Sequence, residues 1–250
     1  MFKTMRLFSN GRKTRKVDIQ KSLHEFSIAE YSSAIEMLYA AKSQVNKDPA
    51  MAMGFIRHAL DEFKHTLLFR NIIDDLRKSN ETDKVDTRFT PNMVITMGYI
   101  DPGNFLFNKF SLNRFSTFIG VNERAAHRLF KKIRIRLNET KALSLTEEEC
   151  EKFKEYLDII LADEERHAEY AFRYCQKHIS KRKLKITMIW EYFCTKSRAI
   201  YASQGRINKC IASVIYLFVI LLMYPFRFAI YFPQRANTDL INSSRIKFMI

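Results

Sequence analysis

Two short segments with one shared pattern decide the fold: DEFKH at residues 61–65 and DEERH at residues 163–167. Both follow the pattern D-E-x-x-H, whose i, i+3 spacing puts the Glu and the His on one face of a helix, one turn apart. Each segment lies near the middle of a long stretch with helical periodicity. A pair of such motifs on two helices is typical of a metal site inside a helical bundle.

The sequence around these segments predicts an all-α fold with four long helices. Asp48 and Pro49 suit the N-cap and first turn of one helix, and Thr146 and Glu149 form a capping box before another. With only 6 Gly and 5 Pro among 250 residues, the chain lacks the turns that β sandwiches and barrels need. A long connection, residues 79–110, separates the second and third helices. The long helices are expected at about 18–45, 49–78, 112–137 and 147–179, followed by a basic amphipathic helix at about 183–203.

One carboxylate lies on the apolar stripe of each long helix: Glu30, Glu62, Glu123 and Glu164. Four unpaired carboxylates in one core would be prohibitively costly, and no core-facing set of Lys or Arg is evident. Two metal ions would compensate the charges. With two histidines, the candidates form the ligand set of di-iron and di-manganese carboxylate bundles. The six candidate ligands are Glu30, Glu62, His65, Glu123, Glu164 and His167.

Other acids and histidines remain as alternatives. Glu36 and Glu139 compete for the ligand roles given to Glu30 and Glu123, although Glu36 lies closer to the following turn than Glu30 does. His127, one turn after Glu123, is either a core histidine or a residue of the substrate pocket. The other histidines are interpreted as structural or surface residues: His24, His58 and His178.

The formal net charge of +15 comes from the two ends of the chain. Residues 18–180 carry 24 basic and 25 acidic side chains, whereas residues 1–17 carry 6 basic and no acidic ones and residues 181–250 carry 12 basic and 2 acidic ones. A near-neutral centre with basic ends differs from a nucleic-acid-binding domain, so no nucleic-acid partner is expected.

The four cysteines form no CxxC pair, which excludes a rubredoxin-like or zinc-ribbon site and indicates reduced thiols in a cytosolic compartment. The N-terminus lacks an apolar h-region, so no secretory signal is expected.

A run of 17 uncharged residues, 210–226, follows the basic helix, and FAIYF at residues 228–232 extends it beyond Arg227. Because a spanning helix needs about 20 apolar residues, residues 210–232 are expected to form a membrane anchor or a re-entrant segment. A buried core helix is the alternative. The lysines and arginines just before the run favour contact with anionic lipid and place that side toward the cytoplasm.

The order of the ligand motifs, Glu, E-x-x-H, Glu and E-x-x-H on successive helices, resembles the ferritin-like superfamily over residues 18–180. Within that range, the segment AEY at residues 29–31, with Ala34, Tyr39 and Ala40, and the second D-E-x-x-H segment are similar to the demethoxyubiquinone hydroxylase family. That family consists of membrane-associated di-iron monooxygenases. The resemblance implies a ferritin-like four-helix bundle with one long crossover and a di-iron cofactor.

The resemblance also implies a role for each site residue. Asp61 and Asp163, as in the multicomponent di-iron monooxygenases that the doublet resembles, would each serve the ligand histidine of the other helix; the alternative is two helix-surface acids. Oxygen and nitrogen ligands of this kind suit iron or manganese better than zinc or copper. In the implied assignment, Glu62 and Glu164 bridge two irons, Glu30 and Glu123 are terminal ligands, and His65 and His167 each bind one iron.

The expected function is a membrane-associated di-iron oxidase or hydroxylase that uses O2 to oxidise a C–H bond of a lipid or quinone-like substrate. Because no flavin or nicotinamide fingerprint is present, electrons must come from an external donor or a reduced quinone. A ferritin- or rubrerythrin-like protein that handles iron or scavenges peroxide is the alternative, and a degenerate bundle acting as a membrane adaptor is a third. Membrane lipids at the cytoplasmic face of a membrane are the expected partners, and a homodimer is the oligomeric state considered.

The sequence thus predicts five segments. They are a basic N-terminal tail (1–17), a ferritin-like di-metal bundle (18–180), a basic amphipathic helix (181–209), a membrane anchor or re-entrant segment (210–232) and a C-terminal tail (233–250). Within the bundle, aromatic residues from Phe105 to Phe118 are expected either to line an acyl or isoprenoid channel or to belong to the core.

Overall fold

The structure is a computed structural model that describes residues 16–78, 106–138 and 143–202, together with Val214 and Phe218. Within these residues the protein is all-α and contains no strand, which confirms the all-α part of the predicted fold. The six helices are α1 (Lys16–Gln44), α2 (Pro49–Lys78), α3 (Leu106–Lys109), α4 (Leu112–Arg136), α5 (Glu147–His178) and α6 (Lys181–Ala202). The short α3 was not predicted, since it lies in the segment interpreted as a connection.

Side-chain caps fix the beginnings of the long helices. The Asp48 carboxylate accepts a hydrogen bond from the Met51 backbone N–H at 3.0 Å, at the start of α2. Before α5, Thr146 and Glu149 form the predicted capping box, in which each side chain accepts a hydrogen bond from the other residue's backbone N–H. These caps explain why two of the helix boundaries could be located from the sequence.

Two apolar layers, separated along the helix axes, make up the core. The four long helices contribute side chains to both layers, so one core is shared among them. The larger layer contains α1 residues up to Phe26, α2 residues from Phe69 and α5 residues up to Ile160. The second contains α1 residues from Ala34, α2 residues up to Ala59 and Ala171 of α5. The middle turn of each helix therefore lies between two apolar layers.

The order of these layers along each helix gives the helix directions. α1 and α5 pass from the larger layer to the second layer, whereas α2 and α4 pass in the opposite direction. α1 packs mainly on α2, α4 packs mainly on α5, and α2 also contacts α5. Because α2 and α4 are parallel, the segment 79–110 connects opposite ends of the four-helix core. Residues 79–105 of this segment lie outside the described residues.

A glycine allows α4 and α5 to approach closely beside the middle turns. A Cβ atom at Gly120 would lie only 2.7 Å from Cζ of Phe172, which is closer than two carbon atoms can pack. The Phe172 ring in turn lies under the Arg124 guanidinium, 4.2 Å from ring centroid to Cζ. This close packing brings Glu123, one turn after Gly120, near the middle of α5.

The predicted basic helix is present as α6, which packs on α4. A buried ion pair joins the two helices: Arg114 Nε donates to Glu191 Oε1 at 2.7 Å, and the Glu191 side chain is fully buried. Four basic side chains at the start of α6 are exposed: Lys181, Arg182, Lys183 and Lys185. Ile189 and Tyr192 are also exposed on this helix.

Among the described residues, no helix is both long and apolar enough to cross a membrane. The predicted membrane segment 210–232 lies outside the described residues except for Val214 and Phe218, which are both exposed. The tails 1–15 and 233–250 are likewise not described. These parts of the domain prediction stay predictions.

Candidate metal centre

A polar layer lies between the two apolar layers, and each long helix contributes one carboxylate to it. The structure brings all six predicted ligands into this layer, where they belong to two groups. Within each group, the possible ligand atoms all lie within 4.8 Å of one another. Both groups share Glu62, so the two groups are contiguous. One group is Glu30, Glu62, His65 and Glu164, and the other is His58, Glu62, Glu123 and His167.

The ligand side chains are shielded from solvent. Glu62, Glu164, His65 and His167 are each at most 2% exposed. Glu30 and Glu123 reach the layer from α1 and α4, and 12% of each of their side chains remains exposed. The site is thus closed on the α2 and α5 sides and slightly open toward solvent near the two single carboxylates.

The two predicted histidines are held in matching orientations. His65 Nε2 lies 3.0 Å from Asp163 Oδ2, and His167 Nε2 lies 3.1 Å from Asp61 Oδ2. In both rings Nδ1 therefore faces the carboxylates of the polar layer. An aspartate that accepts the outer N–H fixes the tautomer and leaves the inner nitrogen free to bind a cation. The structure thus pairs each aspartate with the histidine of the other helix, as the resemblance implied.

The two aspartates stay ionised because basic side chains surround them. Lys64 and Arg166 each contact both Asp61 and Asp163. Burial opposes ionisation of Asp163, but hydrogen bonds with His65 and Lys64 hold its pKa below its usual value. Ionised aspartates are the stronger hydrogen-bond acceptors for the outer histidine nitrogens.

Four buried atoms that face the polar layer have no hydrogen-bond partner: Glu62 Oε2, Glu164 Oε2, His65 Nδ1 and His167 Nδ1. Leaving such groups unsatisfied costs about 1–3 kcal/mol each, and more when they are charged. All four atoms are metal-ligand types, and they come from the two D-E-x-x-H segments. The residues therefore fit a bound metal, and the cluster could hold a metal ion.

Without a cation, Glu62 and Glu164 retain protons. Burial raises the pKa of Glu62 well above its usual value, and the nearby Glu30 and Glu123 charges raise it further. Burial and the Glu123 charge also raise the pKa of Glu164 well above its usual value. Burial opposes protonation of His65, but the nearby carboxylates of Asp163 and Glu30 raise its pKa to about 9.

Metal binding is expected to release these protons. Because a metal ligand must be deprotonated, an ion that binds Glu62, Glu164 and His65 displaces the protons that their raised pKa values retain. Apparent metal affinity should therefore rise with pH up to about pH 9, where His65 loses its proton. Titration calorimetry in buffers of different ionisation enthalpy measures the released protons directly. An affinity that does not depend on pH would contradict this account.

Removing one aspartate should weaken metal binding without removing a ligand. We expect Asp163→Asn to lower metal affinity about 10–100-fold, because His65 loses the acceptor that fixes its tautomer. Asp158→Asn is the control on the same helix, since Asp158 is exposed and pairs with Arg134 far from the polar layer. The affinities can be compared by titrating each metal-free protein with Mn²⁺. Equal weakening in both variants would contradict a specific role for Asp163.

One residue of the two possible ligand groups, His58, was not among the ligands predicted from the sequence. His58, interpreted as a structural or surface residue, is buried and its Nε2 lies 2.8 Å from Glu62 Oε1. The spacing H-x-x-x-E-x-x-H over residues 58–65 was the available signal, since i, i+4 and i+7 share one helix face. His24 is half-buried and His178 is exposed, and neither belongs to the metal-ligand groups among the described residues.

Glu36 and Glu139 were the alternatives to Glu30 and Glu123 as metal ligands. Glu36 is buried, but its carboxylate accepts a hydrogen bond from the Phe107 backbone N–H at 2.7 Å, which ties α1 to α3. Glu139 lies outside the described residues. Phe107, Phe110, Phe115 and Phe118 pack in or against the second apolar layer, which favours the core interpretation of this aromatic stretch.

A cavity of about 630 Å³ opens beside the polar layer between α4 and α5. Glu164 lies at its inner wall, and half-buried His127 also lines it. The rest of its wall is mostly polar or charged and includes Arg124, Arg128, Glu165, Glu169, Arg173 and Gln176. The cavity thus borders one residue of the candidate metal centre.

No protein-family model matches this chain, and no curated protein or solved structure matches it either. Over the described residues, the fold and the site define an all-α protein with a buried Glu/His cluster that could hold a metal ion.

Proposed function

We propose that this protein is a di-iron carboxylate oxidoreductase with a ferritin-like four-helix bundle. One observation carries the proposal. Four carboxylates and two histidines, each histidine paired with the aspartate of the other helix, converge between the apolar layers, and four of their ligand atoms are buried without a hydrogen-bond partner. The parallel arrangement of α2 and α4 supports the one long crossover of this bundle class. Iron suits the oxygen and nitrogen ligand set, and manganese is the second choice.

Each residue has a defined part in this proposal. Glu62 and Glu164 would contribute to both metal positions, Glu30 and His65 would complete one of them, and Glu123 and His167 would complete the other. When bound, reduced iron supplies the electrons and the binding site through which O2 can oxidise a C–H bond. The apolar layers exclude bulk water from the polar layer, and Asp61 and Asp163 keep the two histidines in the ligating tautomer.

The proposed reaction is oxidation of a lipid or quinone-like molecule at the cytoplasmic face of a membrane. Support comes from the exposed basic residues at the start of α6, from the exposed Ile189 and Tyr192, and from the uncharged run 210–226. In a hydroxylation, one atom of O2 enters the product and the other leaves as water, with two electrons and two protons from an external donor or a reduced quinone.

The second candidate is an iron-handling or peroxide-scavenging protein without a lipid substrate. The charged residues in the wall of the cavity beside Glu164 favour it, because three arginines and several carboxylates suit a small polar reactant better than an acyl chain. The same metal ligands serve both candidates, so they differ only in what reaches the centre.

One experiment separates the two candidates. The iron-loaded, reduced protein is mixed with lipid vesicles containing a quinone and exposed to ¹⁸O2, beside Glu164→Gln. ¹⁸O in an extracted lipid or quinone, absent with the variant, supports the hydroxylase. Peroxide consumption without labelled lipid supports the second candidate. Neither activity, in a protein that binds two irons, would overturn the proposed oxidoreductase.

A further inference from the structure

A third histidine directs a ring nitrogen into the polar layer. The His58 side chain is fully buried, and its Nε2 lies 2.8 Å from Glu62 Oε1 and 3.6 Å from Glu123 Oε1. It belongs to the group of Glu62, Glu123 and His167, all of whose ligand atoms lie within 4.8 Å of one another. The E-x-x-H pattern does not include this residue, which lies one turn before Glu62 on α2.

The three buried histidines share one arrangement. His65 and His167 each direct one nitrogen into the layer and the other to an aspartate oxygen. His58 is oriented in a similar way, but its two nitrogens have exchanged places. Its Nε2 faces the layer, and its Nδ1 lies 2.9 Å from the Tyr170 hydroxyl. A ligating imidazole usually donates its outer N–H to an oxygen acceptor, and the Tyr170 hydroxyl can accept that hydrogen bond.

The rings of His58 and His167 converge on the same carboxylate. They stack with centroids 3.7 Å apart and an interplanar angle of 21°. Glu62 Oε1 lies 2.8 Å from His58 Nε2 and 3.6 Å from His167 Nδ1. His58 Nε2 and His167 Nδ1 therefore lie beside one carboxylate oxygen, within the same group of possible ligand atoms.

We propose that His58 is a third imidazole ligand, which makes the two metal positions chemically unequal. The inference rests on the proposed dinuclear centre. The first position has one imidazole, from His65, and is rich in carboxylates. The second position has two imidazoles, from His58 and His167, beside Glu123. Mn²⁺, which prefers oxygen ligands, suits the first position, whereas Co²⁺ binds more tightly to the nitrogen-rich second position.

Cobalt titration of the metal-free full chain tests the proposal. Wild type should bind two Co²⁺ in two distinguishable steps, each followed by visible absorption. His58→Ala should weaken one step more than about 100-fold, and Tyr170→Phe should weaken the same step about tenfold, since it removes only the outer hydrogen bond. His178→Ala is the matched control, because His178 is exposed and lies outside both ligand groups.

Each outcome has one meaning. Two equal steps in wild type, unchanged in His58→Ala, would overturn the inference and leave the dinuclear centre intact. No cobalt binding by folded wild type would overturn the proposed function as well. X-ray absorption of cobalt-loaded wild type gives an answer that does not depend on the folding of a variant. Three imidazoles for two ions are expected, and two imidazoles for two ions would contradict the role of His58.

Discussion

Replacing Glu62 by glutamine is expected to abolish binding at both metal positions while leaving the metal-free protein folded. Glu62 belongs to both ligand groups, so its loss affects both ions. Its raised pKa favours the protonated carboxyl, and glutamine is the neutral isostere of that form. In wild type, metal at a hundredfold excess over Kd should raise the free energy of unfolding by about 2.7 kcal/mol for each site. This corresponds to an increase in Tm of about 5–10 °C for each site. Glu62→Gln should lose this increase.

The control for this prediction is Glu165→Gln. Glu165 is exposed and lies one position after Glu164, so its replacement should leave both the metal content and the metal-dependent Tm increase unchanged. Thermal unfolding with and without added Mn²⁺ measures all three proteins under the same conditions. A Tm increase of equal size in wild type and Glu62→Gln would show that metal binds elsewhere on the chain.

Replacing Glu191 by alanine should have the largest effect on stability. The Glu191 carboxylate is fully buried against Arg114, whose side chain is only 11% exposed. Removing one partner of a buried ion pair leaves the other charge without its partner and costs about 3–5 kcal/mol. Urea unfolding monitored by circular dichroism measures the loss. Because Arg114 is on α4, the change should also loosen α6, which carries the exposed basic residues.

Two comparisons make this result specific. The double variant Arg114→Met/Glu191→Leu should recover most of the lost stability, because well-packed apolar side chains can replace a buried ion pair. Asp158→Ala removes an exposed ion pair with Arg134 and should cost less than about 1 kcal/mol. A loss of that small size for Glu191→Ala would contradict the proposed role of the pair in docking α6.

Helix positions and the main polar positions could be predicted because they depend on local chemistry. Asp48 and Thr146 mark helix starts by capping, which needs only the next three residues. Apolar periodicity placed Glu62 and Glu164 on buried helix faces, where both lie. The short helix α3 was missed because four residues give too little periodicity to distinguish a helix from a loop.

His58 and Glu36 show what local patterns could not reveal. The position of His58 one turn before Glu62 follows from the sequence, but its contacts with Tyr170 and His167 depend on how α5 packs against α2. Glu36 matches Glu30 in residue type and helix, yet it accepts a hydrogen bond from the backbone of α3 instead of facing the polar layer. Neither contact follows from spacing along one helix.

The most direct test of the account is the metal content of the full-length protein after reconstitution with Fe²⁺ and removal of excess iron. Elemental analysis of wild type, Glu62→Gln and Glu165→Gln should find close to two irons per chain in wild type and in the Glu165 variant, and almost none in the Glu62 variant. Well-folded wild type without iron or manganese would contradict the dinuclear centre and leave a helical scaffold with a buried cluster of carboxylates and histidines.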